Sequence, residues 1–169
     1  MVDDASSRQL PAAAQRVQNA LLTLGVDASV VELPSSTRTA VDAANAVGCS
    51  VQQIVKSLVF RSESGIPILL LASGTNRVDV ALVSSHLGTA LGKADADFVR
   101  STTGFAIGGV PPVGHDVPVE TLIDEDLLQF DTIWAAAGTP HAVFSVDPEE
   151  LVRATRGRVL RITVPRKNS

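Results

Sequence analysis

The chain of 169 residues is poor in the groups that many proteins use for chemistry and for staples. It has one cysteine, Cys49, so no disulfide can form within it, and a reducing cytoplasm is the expected setting. Aromatic residues make up 4% and tyrosine is absent, which argues against extended stacking on nucleobases. The three histidines, His86, His115 and His141, form no metal-ligand spacing with Cys49, and no metal is expected. No apolar run approaches the ~20 residues that span a bilayer; the longest, 66–72, contains Pro67 and reads as a buried strand, so no membrane partner is expected. The opening Met1-Val2-Asp3-Asp4 is acidic and unlike a secretory signal. There is no G-x-S-x-G elbow, and Ser84 and Ser85 adjoin His86 in a helical run where neighbouring side chains do not face one another. Gly108-Gly109 is not followed by G-K-[ST], and no dinucleotide fingerprint occurs.

Positive charge is also scarce. A net charge of −4 argues against a protein that coats duplex nucleic acid, and DNA is not an expected partner. A grip on one end of a nucleic acid remains open. The distribution is uneven, because Arg153, Arg156, Arg158, Arg161, Arg166 and Lys167 follow Leu151 with no acid among them. That segment reads as a solvated basic end or as a phosphate-facing patch.

What is present is 45% hydrophobic residues, enough for one domain with a real core over 1–169, with flexible ends near 1–6 and 165–169. Leu10, Ala14, Val17, Leu21 and Leu24 predict an amphipathic helix over 10–24, stopped by Gly25. A strand is expected over 29–33. Thr39 with Asp42 opens a helix over 40–47, and Ser50 caps a further turn. Residues 55–61 and 66–72 read as a hairpin. Asn76 or Asp79 begins a helix that ends near Gly88, and another covers 94–101. Strands are expected over 117–122, 132–137, 142–146 and 159–164. Asp124 caps a turn, and Asp147-Pro148-Glu149-Glu150 opens the last helix. Strands and helices mix without strict alternation, which predicts an α+β fold with a mixed sheet surrounded by helices.

Two places stand out. Lys56 shares a strand face with Leu58 and Phe60, where an ammonium must either snorkel to water or meet an anion. In 104–115 a short apolar strand runs into Gly108-Gly109 and then Pro111-Pro112. This is either a tight turn or a stiff loop whose backbone amides could hold an anion or oxyanion. His141 lies in a turn from which it could overhang a pocket.

Taken with order and spacing, three segments resemble the YbaK family of aminoacyl-tRNA deacylases, which includes the editing domain inserted in bacterial prolyl-tRNA synthetases. They are Ile54-Val55-Lys56-Ser57-Leu58-Val59-Phe60, the loop from Gly104 to Pro112, and Ala136-Ala137-Gly138-Thr139-Pro140-His141 leading into Asp147-Pro148-Glu149-Glu150-Leu151. The resemblance covers roughly 31–162. It implies a mixed, partly barrel-like sheet wrapped by helices, and hydrolysis of a wrongly attached small amino acid (Ala, Cys, Ser or Thr) from the 3′ end of a tRNA, with tRNA for proline the first choice. The aminoacylated tRNA end is then the expected partner, and a synthetase a second candidate. It further implies that Lys56 meets the terminal adenosine or its phosphate, and that Gly108 and Gly109 polarise the ester. Val110, Pro111, Pro112, Gly138, Thr139 and His141 would line the substrate site. Some cysteine-specific members carry Ser before the last glycine and Asp six residues after it, where this chain has Ala137 and Phe144. An aminoacyl ester is already activated, so this chemistry needs a positioned water and oxyanion donors rather than a cofactor. A rival reading is an inactive module that binds a tRNA end, a nucleotide or a synthetase; a third is a hydrolase of another small ester or amide.

Overall fold

The computed structural model describes residues 9–165. The expected ends, 1–6 and 165–169, fall outside the described residues except for Pro165. Helices arise where local caps and apolar stripes agree. Helix α1 (Ala12–Thr23) buries Ala14, Val17 and Leu21 on one face, and Gly25, in the left-handed region, ends it. At α2 (Ala40–Val47) Thr39 and Asp42 form a reciprocal capping box, and Asp42 is held below the usual carboxylate range, chiefly by the Arg38 N–H it accepts. Asp79 caps α3 (Val80–Leu87) and Asp95 caps α4 (Ala96–Thr103). Asp147, with Pro148 in the first turn, opens α5 (Pro148–Thr155). Asn76 therefore starts no helix.

The described residues form two sheets. The larger has the order β4-β2-β3-β5-β8, built from β2 (Val55–Ser62), β3 (Pro67–Ser73), β4 (Leu91–Lys93), β5 (Glu120–Asp124) and β8 (Arg158–Leu160). The β2–β3 hairpin is antiparallel as expected, whereas β3–β5 and β5–β8 are parallel. Central β3 is buried along its whole length, so it reads as a continuous apolar run. The smaller sheet has the order β1-β7-β6, from β1 (Val30–Glu32), β6 (Ile133–Ala136) and β7 (Ala142–Val146), all antiparallel. Gln18 of α1 ties down the start of β1, donating to Ala28 O and accepting from Val30 N. A parallel bridge between Ile54 and Trp134 links the sheets, which do not close into a barrel. The main core lies where they face each other, and α1 covers it. The expected mixed α+β class holds.

One strand was not expected, and three local expectations are corrected. Residues 91–93 form an edge strand that a three-residue Leu-Gly-Lys pattern could not announce. Strand β5 begins at Glu120, because Val117 and Pro118 stay in an exposed loop. Strand β8 ends at Leu160, after which the chain turns to Arg77 and Asp79, whose partners are Val164 N and Ile162 O. Residues 105–107 are not a strand. Phe105 is buried, Ile107 is exposed, and Gly109 N donates to Ala106 O to close a turn.

Arg16 of α1 anchors the long 104–119 loop. Its guanidinium donates to Gly104 O (3.3 Å), Gly114 O (3.0 Å) and Asp116 Oδ1 (2.5 Å), and lies 4.5 Å from the Phe105 ring centroid. The loop is therefore stiffened from both ends.

Candidate functional site

Lys56, the second residue of β2, pairs across the hairpin with Ala72. Its Nζ donates to the Asn76 backbone carbonyl. Partial burial pushes the amine below the usual lysine range, while the Asp124 carboxylate pulls the other way. Lys56 lines a cavity of about 290 Å³ together with Gly108, Val110 and Thr139. Elements far apart in the chain meet there, because Trp134 of β6, Pro140 and Arg38 complete its wall. Arg38 and Lys56 are the charged residues in that wall, and both are cationic.

The two loops that close the cavity hold each other. Gly138 N donates to Gly109 O at 2.9 Å. A Cβ on Gly109 would lie 2.7 Å from Thr139 Cα, so only glycine permits this crossing. Gly138 has φ +97, and a Cβ there would stand 2.6 Å from Ala13 O of α1. Both glycines thus serve close packing.

Among the nine residues expected at the site, four converge: Lys56, Gly108, Val110 and Thr139. The other five take different places. Gly109 is buried and its N–H is committed to Ala106 O, so it is not available to polarise an ester. Pro111 and Pro112 are buried. Pro111 O bonds His115 Nε2 at 2.6 Å, and Pro112 lines a separate groove of about 570 Å³ with His115, Arg156 and Arg158. Burial pushes the His115 imidazole below its usual range. Gly138 packs on α1. His141 donates its N–H to Thr139 Oγ1 and accepts from Leu33 N, and its buried Nδ1 has no partner among the described residues. The loop prolines looked like pocket wall because stiffness is visible in a sequence, whereas the direction in which a loop packs is not. Ala137 is buried, and Phe144 lies in the main core with 0% exposure, opposite Val30 and Ala135. The cavity has no carboxylate from that position.

Sequence reasoning missed Ser57. Its Oγ is buried and has no hydrogen-bond partner among the described residues. It lines the Lys56 cavity and also an adjoining one of about 410 Å³ walled by Leu58, Phe60, Val99 and Ile107. The signal was a break in pattern, one hydroxyl between Val55 and Val59 on alternating strand positions. No imidazole or carboxylate is within hydrogen-bond reach of Ser57 Oγ, so it lacks the base that would make it a nucleophile. The Gly108 N–H has no partner among the described residues. The assembled groups are a fixed cation, a free backbone donor and an orphan hydroxyl around a small cavity.

Comparison with known proteins gives this arrangement a context. Residues 34–154 match the family model for the aminoacyl-tRNA editing domain. A crystal structure described as "a putative trans-editing enzyme for prolyl tRNA synthetase" superposes with a TM-score of 0.90 at 50% identity, covering 93% of this chain and 100% of that one. YwhH of Bacillus subtilis (strain 168), whose function is uncharacterised, is 33% identical over 122 residues, 72% of this chain and 78% of that protein. EbsC of Enterococcus faecalis (strain ATCC 700802 / V583), named as a "putative Cys-tRNA(Pro)/Cys-tRNA(Cys) deacylase", is 25% identical over 125 residues, 71% of this chain and 74% of that one. The chain belongs to the aminoacyl-tRNA editing domain family.

Proposed function

We propose that this chain is a trans-editing hydrolase that removes a small misattached amino acid, of the Ala, Cys, Ser or Thr class, from the 3′ end of tRNA, with tRNA for proline the leading candidate. The observation that carries the reading is the convergence of Lys56 with Gly108 and Val110 on one cavity of about 290 Å³. Lys56 anchors the terminal adenosine or its phosphate. The Gly108 N–H faces the ester carbonyl and stabilises the oxyanion. Water adds to the carbonyl carbon, with the vicinal ribose hydroxyl helping to orient it. The tetrahedral oxyanion collapses, the bond to the ribose oxygen breaks, and that oxygen takes the proton. The products are the free amino acid and uncharged tRNA. Holding water and ester in line supplies much of the rate, and the cavity walls sort side chains by volume.

The test is deacylation of tRNAs charged with Ala, Cys, Ser, Thr and Pro. Release confined to one or two small residues is expected. Binding of charged tRNA without release from any of them would instead favour a non-catalytic module, a reading kept in view by the committed Gly109 amide and by Phe144 in place of a carboxylate.

Ser57 supplies a second expectation. Because its hydroxyl is buried and unbonded, Ser57→Ala should leave stability unchanged or raise it by up to about 1 kcal/mol. The same change should raise KM for the aminoacyl substrate, because a ligand donor or acceptor loses its partner. Thermal melting and steady-state deacylation together check this, and a variant with unaltered KM would remove Ser57 from the site.

A further inference from the structure

Asp124 lies outside the cavity wall, at the last position of β5, and is 0% exposed. Its Oδ2 accepts from Ser73 N (3.0 Å) and from Asn76 Nδ2 (2.8 Å), and its Oδ1 accepts from Asp126 N (2.9 Å). Asn76, 5% exposed, also donates to Asp126 Oδ2 at 2.8 Å. The turn 73–76 is closed by Asn76 N donating to Ser73 O. It presses so closely on the preceding segment that a Cβ on Gly74 would come within 2.2 Å of Val51 O. The outer face of this clamped turn offers the Asn76 carbonyl to Lys56 Nζ.

We infer that Asp124 is a positioning residue for the substrate anchor: through the 73–76 turn it fixes where the Lys56 ammonium stands beside the cavity, and its negative charge balances that ammonium. The inference rests on the assignment of Lys56 as the anchor. A buried carboxylate is costly unless bonded and balanced. Asp124 makes no ion pair within contact distance among the described residues, and Lys56 is the cation that feels its field. Around Lys56 the charged groups are Asp124 from β5, Asp126 beyond Asn76, and Arg38 in the cavity wall. Burial favours the neutral amine, while the Asp124 carboxylate opposes it.

The test separates charge from shape. The chain has three lysines, Lys56, Lys93 and Lys167, so side-chain 13Cε titration by NMR resolves them, with Lys56→Met for assignment. Asp124→Asn keeps the outline and removes the charge, at the loss of the Asp126 N bond if its amide oxygen keeps Ser73 N and Asn76 Nδ2. In the folded variant the Lys56 titration is expected to move further down, with Lys93 and Lys167 unmoved. Deacylation should then show KM beginning to rise at a lower pH on the alkaline side than in the wild type, with the two proteins converging as the pH falls. An unmoved Lys56 titration, or a loss equal at every pH, overturns the inference. The titration needs no catalytic activity, so its outcome is independent of whether the chain is a deacylase. If Asp124→Asn does not fold, Asn76→Ala decides the positioning half, since it cuts the tether but leaves the carboxylate and its two backbone bonds. KM should rise with the Lys56 titration near its wild-type position, and an unchanged KM overturns the inference.

Discussion

Lys56→Ala should abolish deacylation, lowering kcat/KM by about 100-fold or more, while the protein stays folded. The lysine is half-buried at the start of β2, and the hairpin register around it, Val55 with Ser73 through Arg61 with Pro67, does not use its side chain. Removing it takes the proposed anchor from the cavity and leaves the Asn76 carbonyl to water. Arg38 is the other cation in the wall, but it stands on the loop ahead of α2 and cannot reproduce a charge delivered from the sheet. Lys56→Arg should recover only part of the activity, because a planar fork does not fit where a compact ammonium donates to one carbonyl. Single-turnover deacylation beside a thermal melt checks both variants. Wild-type turnover by a folded Lys56→Ala protein would sink the anchoring role and with it the placement of the tRNA end.

Gly109→Ala is the second change expected to be severe. The new methyl would lie 2.7 to 2.8 Å from Thr139 backbone atoms, which cannot swing aside as a side-chain tip would. The loops must part, breaking the bond from Gly138 N to Gly109 O and moving Gly108 away from Thr139. A cost of about 1–3 kcal/mol in stability is expected, with loss of most activity. Gly108→Ala provides the contrast. Its φ of +97 makes any side chain strained, but the nearest atom to its Cβ is Pro140 Cγ at 3.9 Å. That variant should pay strain alone and keep the loops together. Equal activity in the two variants would show that loop contact does not shape the site.

These expectations draw on features that the sequence exposed unequally. Helices were legible because their signals are local: Thr39 with Asp42, and Asp147-Pro148, each bond within a few residues. The hairpin was legible for the same reason. The parallel pairing of β3 with β5 and of β5 with β8 joins segments whose partners no local pattern names. Lys56 was visible as a charge on an apolar strand. Asp124 was visible only as a cap, which it also is, because its meaning depends on Asn76 and Ser73 arriving from another strand end. The motif glycines were recognisable, but whether each offers an amide or makes room for backbone is decided by its neighbour across the gap.

The smaller sheet has a consequence for how the protein comes into being. Val30, near the start of the chain, pairs with Phe144, close to its end, and β6 joins only through β7. Trp134, Thr139 and Pro140, which wall the cavity, belong to this late segment. As the chain emerges from the ribosome, β1 waits without a partner until β7 has been made. The cavity therefore cannot exist in a partly synthesised molecule. A chain cut short before residue 142 should therefore lack the wall that β6 and the 138–140 turn supply, whatever the state of its larger sheet.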